Sequence, residues 1–384
     1  MPGPSRGEVP ADALPLRGIR ILDLSRVLAG PLATMVLADL GAEVVKLERP
    51  GTGDDTRTWG PPFVGEDAAY FLALNRNKRS VAVDLGTDEG RAAARRLALA
   101  SDVVVENFRP GLMETFGLAH AQLVGDHPRL VSCSLTAFDE GERETRPGYD
   151  IIVQALSGHM SVTGDADRPP TKPGVALLDI VCGLYAANAI QAAIRRRDTT
   201  GVGAHLRVSL FGSGVAALVN QAANYLLGGL VPTRMGTAHP NIVPYQVFAA
   251  ADRPFVLAAG NDRAFVRTCE VLGRDDLATD PRYVTNAGRV AHRDELVREL
   301  AAAFATRPAA AWLADLEVAG VPCSEVRTID EVFASPEGAA TLQAFDDPVH
   351  GPLRLPRTPI AIDGADLPVR LPPPALGADG DLLR

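Results

Sequence analysis

The feature that most constrains the fold is an alternation of β-rich and helical runs over the first third of the chain. An apolar run at 19–25 precedes the helical stretch PLATMVLADL, Gly41 follows that stretch, and a second β-rich run occupies 43–50. Proline at the first helical position and glycine just after the last one are typical signals of a helix start and end. The three segments have the length of a right-handed βαβ crossover.

The same alternation continues for about ninety residues more. β-rich runs occur at 80–85, 102–108 and 129–135, with helical segments at 88–100 and 111–127 between them. Strands that are apolar on both faces belong in a parallel sheet that helices cover on both sides. We therefore predict a doubly wound, Rossmann-like α/β domain.

The second half of the chain has a different pattern. A long helix is predicted at 180–197, a strand at 205–211 and a hairpin at 247–260, while helices dominate 262–318. This mixture indicates a smaller α+β domain, after which the chain returns to the large one. The predicted parts are the N-terminal part of the large domain at 1–224, the small domain at 225–320 and the returning segment at 321–384.

One charge-free stretch, from Val208 to Thr233, requires comparison with a membrane span. Amide side chains at Asn220, Gln221 and Asn224 lie near its middle, and such groups are costly in lipid. We predict a buried helix of a soluble protein. The N-terminal segment has charges and prolines but no apolar centre, so no signal peptide is expected.

Charge and cysteine usage exclude several classes of partner. The chain has 38 Lys+Arg and 47 Asp+Glu, a net charge of −9, and no basic block for nucleic acid or an anionic membrane. The four cysteines are widely spaced and form no C-x-x-C pair, which favours free thiols in a reducing cytoplasm. They are Cys133, Cys182, Cys269 and Cys323.

Cofactor motifs give no support for nucleotide or metal chemistry. The first strand–helix turn reads S-R-V-L-A-G-P and lacks the G-x-G-x-x-G fingerprint, and the chain contains no G-x-x-x-x-G-K-[ST] phrase. The seven histidines are scattered and form no H-E-x-x-H motif. We therefore expect no metal and no tightly bound cofactor.

Five phrases, taken in order, resemble the class III CoA-transferases, a family that includes formyl-CoA and carnitine CoA-transferases and, as a divergent relative, 2-methylacyl-CoA racemase. The resemblance runs from about Leu16 to the last fifth of the chain. It implies an interlocked homodimer in which each monomer is an open ring of a large and a small domain. The phrases are RVLAGPLATMVLADLGAEVVKLERPGTGDDTR (26–57), LNRNKRSVAVDL (74–85), DVVVENFRPGLMETFGL (102–118), RPGYDIIVQALSGHMSVTG (146–164) and KPGVALLDIVCGLYAANAI (172–190).

Asp179 is the candidate nucleophile. Taken alone, an aspartate before an apolar helical run is typical of a helix N-cap. The phrase GVALLDIVCGLYAA is similar to the family segment that carries the catalytic aspartate. By that resemblance, Asp179 attacks the donor thioester, and a mixed anhydride and an enzyme–CoA thioester follow. The intermediates react with water, so the site must be dry, which the apolar neighbours of Asp179 favour.

The resemblance also implies which residues line the CoA groove. The acidic chain must supply local cations for the CoA phosphates, and Arg49 and the turn at 107–109 follow predicted parallel strands, where open α/β sheets bind ligands. The family's phrase N-F-x-P-G-x-x-x-[RK] ends in Thr115 here instead of a basic residue. The implied CoA-binding residues are Leu28, Ala29, Arg49, Asn75, Arg76, Asn77, Lys78, Asn107, Phe108 and Arg109.

Two loops differ from the family pattern. The glycine-rich loop that follows the strand at 129–135 in the family reads T-A-F-D-E-G-E-R-E-T here, at 136–145, and a charged surface loop is expected. Family transferases also close a mobile glycine-containing loop over the aspartyl intermediate. The matching residues are Ala259, Gly260 and Asn261, with a single glycine.

Transferase and racemase are distinguished by the phrase Gly148-Tyr149-Asp150. The racemases have a histidine base at the tyrosine position, and tyrosine, with an ordinary pKa of about 10, is a poor base near neutral pH. The sequence therefore favours reversible transfer of CoA from an acyl-CoA to a free carboxylic acid. A 2-methylacyl-CoA racemase and a non-catalytic CoA-binding protein stay as alternatives.

Overall fold

The computed structural model describes residues 7–384, and the chain divides into two compact units. Unit 1 contains the chain up to His159 together with Pro173–Gly229 and Pro336–Arg384. Unit 2 contains Met160–Lys172 and Leu230–Ser335. The sequence placed the small domain at 225–320, whereas unit 2 extends to Ser335 and includes a second, earlier segment.

Unit 1 is built on a six-stranded sheet in which every neighbouring pair is parallel. The strand order is β3-β2-β1-β4-β5-β6, so the direction of progression reverses between β1 and β4. The predicted α/β class with a parallel sheet is confirmed. The strands are β1 (Arg20–Asp23), β2 (Glu43–Glu48), β3 (Lys78–Ala82), β4 (Val103–Glu106), β5 (Val131–Thr136) and β6 (Ala204–Ser209).

Helices cover both faces of this sheet. They are α1 (Ala29–Asp39), α2 (Asp88–Leu99), α3 (Leu112–Phe116), α4 (His120–Leu123), α5 (Asp150–Leu156), α6 (Leu177–Thr200) and α7 (Leu210–Ala217). An eighth helix, α8 (Val219–Gly228), follows α7 and has no buried residue. Successive strand residues enter opposite cores, because side chains alternate along a strand. Ile21 packs with α1 and α6, while Leu22 packs with α2.

Helices α1 and α6 approach each other closely at a glycine. A Cβ atom added at Gly183 would lie 2.6 Å from the carbonyl oxygen of Ala29, so a side chain there would force the helices apart. This contact brings the N-terminal half of α6 next to the turn that precedes α1. Among the described residues, α6 is the one helix whose length and apolar composition would suit a membrane span. Its buried residues belong to the core of unit 1, so that resemblance is weak evidence.

The charge-free stretch from Val208 to Thr233 is not the single buried helix that its composition indicated. It comprises the end of β6, then α7 and α8, with Val219 at the junction in a left-handed conformation (φ 41°). No residue of α8 is buried, and Leu227 is 89% exposed. Apolar composition by itself therefore does not show that a segment is buried within its own chain.

Unit 2 combines a small antiparallel sheet with helices. Strand β8 (Pro254–Ala258) pairs with β7 (Tyr245–Ala249) on one side, forming the predicted hairpin, and with β9 (Cys323–Glu325) on the other. Phe248, Phe255, Phe304 and Trp312 form the aromatic centre of its core. The helices are α9 (Asp262–Leu272), α10 (Asp275–Thr279), α11 (Asn286–Ala291), α12 (Arg293–Phe304), α13 (Ala309–Val318) and α14 (Ile329–Ala334).

The segment after Pro336 belongs to unit 1 again. It begins with the antiparallel pair β10 (Leu342–Asp347) and β11 (Gly351–Pro356) and continues as a largely irregular, proline-rich segment. The fold also contains three further short α-helices and two pairs of two-residue strands. They are Ala69–Leu72, His159–Val162 and Pro336–Ala339, and Phe63–Val64 with Asp67–Ala68 and Ala361–Ile362 with Ala365–Asp366.

Candidate active site

Asp179 lies in the first turn of α6, two residues after the helix begins. The residue before the helix, Ala176, has no side chain that can cap it. Oδ1 of Asp150, the first residue of α5, instead accepts hydrogen bonds from the backbone N–H of Leu178 at 2.8 Å and of Asp179 at 3.3 Å. Asp150 therefore caps α6, and the alternative that Asp179 is the N-cap is wrong.

The carboxylate of Asp179 is electrostatically unusual. Within residues 7–384 it has no hydrogen-bond or ion-pair partner. Burial, and secondly the negative charge of Asp150, raise the pKa of Asp179 to about 7. A carboxyl group with such a pKa is half ionised at neutral pH, and perturbation of this size by burial and a like charge is common at functional sites.

Asp179 lines a cavity of about 510 Å³ at the carboxyl ends of the sheet strands. The cavity lies where β1 and β4 are neighbours and the strand order reverses, which is the usual ligand site of open α/β sheets. Its lining comes from the segments that follow β1, β4 and β5 and from the approach to α5. These segments are Arg26–Ala29, Asn107–Pro110, Leu135–Ala137 and Glu144–Tyr149.

Several residues predicted to bind CoA share this cavity with Asp179. They are Leu28, Ala29, Asn107, Phe108 and Arg109. Arg49 lies outside the lining but bonds Asp55 at 2.6 Å, and Asp55 both lines the cavity and bonds Arg26 at 2.9 Å. The strand ends and turns that sequence reasoning selected are thus brought together around the predicted nucleophile.

The structure corrects the predicted CoA-binding role of the turn Asn75-Arg76-Asn77-Lys78. The sequence placed it in the CoA groove, but its four side chains are at most 3% exposed. Arg76 pairs with Asp39 at 2.7 Å and donates to Thr358 at 3.0 Å, and Asn77 donates to Asp39 at 2.7 Å. The C-terminal segment covers the turn, so these polar groups are held internally and are not available to a ligand.

Lys78 also points into the interior. Its Nζ bonds Asp23 at 3.1 Å, the carbonyl oxygen of Pro31 at 2.9 Å and Oδ1 of Asn75 at 2.9 Å. Burial lowers the pKa of Lys78 to about 8, although Asp23 opposes this effect. Lys78 therefore contributes to the geometry of the start of α1 rather than to a phosphate contact.

Asn107 lines the cavity but uses its side chain inside the protein. Its Oδ1 accepts the backbone N–H of Arg26 at 3.0 Å, and its Nδ2 donates to the carbonyl oxygen of Arg26 at 2.8 Å. The side-chain amide of Asn107 thus bonds both backbone groups of one residue, as a neighbouring β-strand would. These two hydrogen bonds join the segment after β1 to the segment after β4.

The loop Ala259–Asn261 belongs to unit 2, where it joins β8 to α9. Oδ1 of Asn261 accepts the backbone N–H of Ala264 at 2.9 Å and caps α9. Gly260 is exposed, with open space where a side chain would be. The lid role of this loop stays a prediction.

The two departures from the family pattern have local partners. Thr115 donates its hydroxyl to the carbonyl oxygen of Gly111 at 3.0 Å within α3. In the charged loop after β5, Glu140 and Glu144 each bond Arg207 at 2.8 Å. The loop is therefore tied to β6 by two ion pairs.

Three residues of the site were missed by sequence reasoning. In the sequence, Asp150 is the last residue of the phrase 148–150 that distinguishes racemases, and Arg146 is the first residue of the family phrase at 146–164. Tyr70 carried no signal; its pKa is raised by burial and then by the charges of Asp179 and Asp150, so its hydroxyl lies in their field. An aspartate five residues after a charged loop has no local pattern that identifies it as the cap of a helix 27 residues further on.

The sequence model of CoA-transferase family III matches residues 16–380. The chain belongs to this family. The resemblance stated from the five phrases is thereby confirmed, and so is the identification of the protein as a CoA-transferase.

Relatives and a solved structure agree with this assignment. A succinyl-CoA:glutarate CoA-transferase of Mus musculus is 43% identical over 366 residues, covering 94% of this chain and 84% of the relative. A succinate–glutarate CoA-transferase of Agrobacterium fabrum (strain C58 / ATCC 33970) is 43% identical over 379 residues, covering 96% and 95%. The crystal structure of a CAIB/BAIF family protein from Brucella suis superimposes with a TM-score of 0.84 at 43% identity, covering 96% and 98%.

Proposed function

We propose that this CoA-transferase works through a covalent intermediate on Asp179. The observation that carries the proposal is the carboxylate of Asp179 itself, which lines the cavity at the strand reversal and has no counter-ion within residues 7–384. A structural carboxylate would be paired or hydrogen-bonded, because an unpaired buried charge is costly. An unpaired carboxylate beside an empty volume is suited to attack a bound electrophile.

The proposed reaction has two halves. An Oδ atom of Asp179 attacks the thioester carbonyl carbon of the donor. The C–S bond breaks, so that CoA leaves as a thiolate and a mixed anhydride of the donor acid and Asp179 remains. The thiolate then attacks the aspartyl carbonyl carbon, the bond from that carbon to the acyl oxygen breaks, and the donor acid leaves as a carboxylate. An acceptor carboxylate reverses these steps on the remaining aspartyl–CoA thioester.

The raised pKa of Asp179 supports this role. An ionised carboxylate with a pKa of about 7 is more basic than an ordinary aspartate, and nucleophilicity rises with basicity. The backbone N–H groups of Leu178 and Asp179 are already bonded to Asp150, so other donors must stabilise the oxyanion. Helix α1 starts at the cavity with no side-chain cap, and its first-turn N–H groups carry the positive end of the helix dipole.

For CoA itself we propose the margin of the cavity formed by the segments after β1 and β4. Arg26 and Arg109 line it, and Arg49 reaches it through Asp55. Within residues 7–384 the exposed side chain of Arg109 has no ion-pair partner. Arg109 is therefore the cation that we assign to a CoA phosphate, and CoA is a substrate rather than a bound cofactor.

For the acids we propose a succinyl-CoA donor and a dicarboxylate acceptor such as glutarate. The names of the mouse and Agrobacterium relatives support this class. Arg146 lines the same cavity as Asp179 and offers a cation to the second carboxylate of such an acid. A monocarboxylate would leave that cation unpaired.

We further propose that the active form is an interlocked homodimer of ring-shaped monomers in the cytoplasm, with unit 1 as its Rossmann-like part. The strand order 3-2-1-4-5-6 supports the last point. Exposed apolar side chains on α5 and α8 support a covering partner subunit. They include Ile151, Ile152, Leu156, Tyr225, Leu226 and Leu227. A stable monomer at micromolar concentration in sedimentation would contradict the dimer.

An acceptor screen by mass spectrometry tests the function. With succinyl-CoA as donor and glutarate as acceptor, we expect glutaryl-CoA and free succinate in equal amounts. Exchange of the α-proton of a 2-methylacyl-CoA in deuterated water without an acceptor acid would instead favour the racemase. Binding of CoA without turnover across acyl-CoA and acid pairs would favour the non-catalytic alternative.

A further inference from the structure

Val27 lines the active-site cavity in a conformation that its side chain disfavours. Its φ is 73°, in the left-handed region, where a β-branched residue is an outlier. Residues in such conformations persist only where the surrounding structure holds them, and they are concentrated at functional sites. The conformation of Val27 therefore needs a physical cause.

Three consecutive residues before α1 are each held by a side chain from another segment. Lys46 of β2 donates to the carbonyl oxygen of Ser25 at 2.8 Å. Asn107 bonds both backbone groups of Arg26, as described above. The carboxylate of Asp54 accepts the backbone N–H of Val27, with Oδ1 at 3.2 Å and Oδ2 at 3.3 Å.

Lys46 and Asp54 are joined to each other. Nζ of Lys46 lies 2.8 Å from Oδ2 of Asp54, and both side chains are completely buried. Burial opposes the charge of Lys46, but Asp54, Asp23 and Glu48 outweigh it, so the pKa of Lys46 is raised. Burial likewise opposes the charge of Asp54, but Lys46 and hydrogen bonds from Thr56 outweigh it and lower its pKa. Both side chains are therefore charged. Lys46 bonds the backbone carbonyl of Ser25, and Asp54 bonds the backbone N–H of Val27.

General stability does not account for such a pair. Desolvation of two buried charges offsets much of their attraction, and well-packed apolar residues often replace a buried ion pair without loss of stability. What apolar residues cannot supply is a fixed acceptor for the N–H of Val27 and a fixed donor for the carbonyl of Ser25. The geometry of the turn, rather than its stability, is what this pair determines.

The turn leads directly to the reacting region. After Val27 come Leu28 and Ala29, which line the cavity with Asp179 at the uncapped start of α1. The chain folds back tightly here, since a Cβ atom at Gly30 would lie 2.2 Å from Oγ of Ser25. A change in the φ of Val27 would therefore redirect the backbone that faces the nucleophile.

We propose that Lys46 and Asp54 are positioning residues for the transfer reaction: their buried ion pair holds Val27 in the left-handed conformation and so sets the backbone of 28–29 against Asp179. The inference rests on the proposed function. Because the pair acts on the backbone of 28–29 that faces Asp179 and not on Arg109, the side chain that we assign to a CoA phosphate, its loss lowers kcat and leaves KM for succinyl-CoA nearly unchanged.

A double-mutant cycle tests the inference. Asp54→Asn keeps the size of the side chain and removes its charge, and we expect kcat to fall about 10- to 100-fold with a KM change below about threefold. Glycine adopts positive φ without penalty. In a Val27→Gly background the loss of kcat caused by Asp54→Asn should therefore shrink to about threefold. In the matched Val27→Ala background, which keeps a Cβ, the loss should stay large.

Three results would overturn the inference: an unchanged kcat in Asp54→Asn, an equal loss in the glycine and alanine backgrounds, or a loss confined to KM. If Asp54→Asn does not fold, the pair Lys46→Met/Asp54→Asn leaves no lone charge and is assayed in the same three backgrounds. Asp179→Ala is measured alongside. An active Asp179→Ala enzyme would refute the proposed function, whereas an inactive one with an unaffected Asp54→Asn would refute this inference alone.

Discussion

Oδ1 of Asp150 accepts the backbone N–H of Asp179 at 3.3 Å, so the helix cap and the proposed nucleophile are two carboxylates on adjacent helices. Asp150 fixes the backbone of Asp179, and burial together with the charge of Asp150 raises the pKa of the Asp179 side chain. Asp150 thus fixes the backbone position of the proposed nucleophile and adds to the effect of burial on its basicity. The first three predictions test this relationship.

Replacing the nucleophile should abolish transfer and leave CoA binding intact. We expect Asp179→Ala and Asp179→Asn to lose turnover at least about 10⁴-fold, because neither side chain opens a thioester, while Kd for CoA measured by calorimetry stays within about threefold. Hydroxylamine or borohydride trapping during turnover should modify the wild-type peptide that contains Asp179. A label on Asp150, or an active Asp179→Ala enzyme, would contradict the assignment.

Asp179→Asn should stabilise the fold at alkaline pH. The folded-state pKa of Asp179 is raised from 3.8 to about 7, so its ionisation opposes folding. Between pH 4 and 7 the unfolded chain ionises first, and stability falls as pH rises. Asp179→Asn should raise the free energy of unfolding above pH 7 by an upper limit of about 4 kcal/mol and have no effect near pH 3. A loss of stability at pH 8, measured by denaturant titration, would show instead that the carboxylate has a structural partner.

The pH dependence of the first half-reaction should report the ionisation of Asp179. Only the carboxylate attacks, so the single-turnover rate of succinate release from succinyl-CoA should rise about tenfold per pH unit below the pKa of about 7 and level off above it. In Asp150→Asn the midpoint should move to lower pH, because the like charge that raises the pKa is removed. An unchanged midpoint would mean that burial alone sets this pKa.

Arg76 and Arg109 should separate stability from binding. Arg76 is buried and paired with Asp39, so Arg76→Met leaves an unpaired buried carboxylate and should cost about 3–5 kcal/mol of stability, with KM for succinyl-CoA unchanged in the folded fraction. Arg109 is exposed at the cavity, so Arg109→Ala should raise that KM about tenfold and leave the thermal midpoint in place. The opposite pattern in thermal unfolding and steady-state kinetics would restore the CoA-binding role of the turn at 75–78.

Local periodicity was sufficient to predict the parallel sheet. The strands carry alternating apolar residues that enter two cores, as Ile21 and Leu22 do, and the helices between them have clear start and end signals. Asp179 was predicted to be the nucleophile through the resemblance of a whole phrase, since the residue alone was more typical of a helix N-cap. These features depend on residues that are near each other in sequence.

The turn at 75–78 could not be interpreted correctly from sequence, because its partners lie far away in the chain. Arg76 contacts Thr358, and Asn77 accepts the backbone N–H of Leu371 at 2.9 Å. Nothing local distinguishes a polar turn that binds phosphate from one that a distant segment will cover. The cap by Asp150 and the exposure of α8 depend in the same way on tertiary contacts.

The late return of the chain to unit 1 has a consequence for biosynthesis. Asp39, Arg76 and Asn77 acquire part of their hydrogen bonding from Pro356, Thr358 and Arg370, which lie 280 to 319 positions downstream. A nascent chain that has completed every strand of the parallel sheet still has this polar cluster open to water. The ribosome must therefore finish almost the whole polypeptide before the edge of the sheet at β3 can close, and until then this edge stays open to chaperones and proteases.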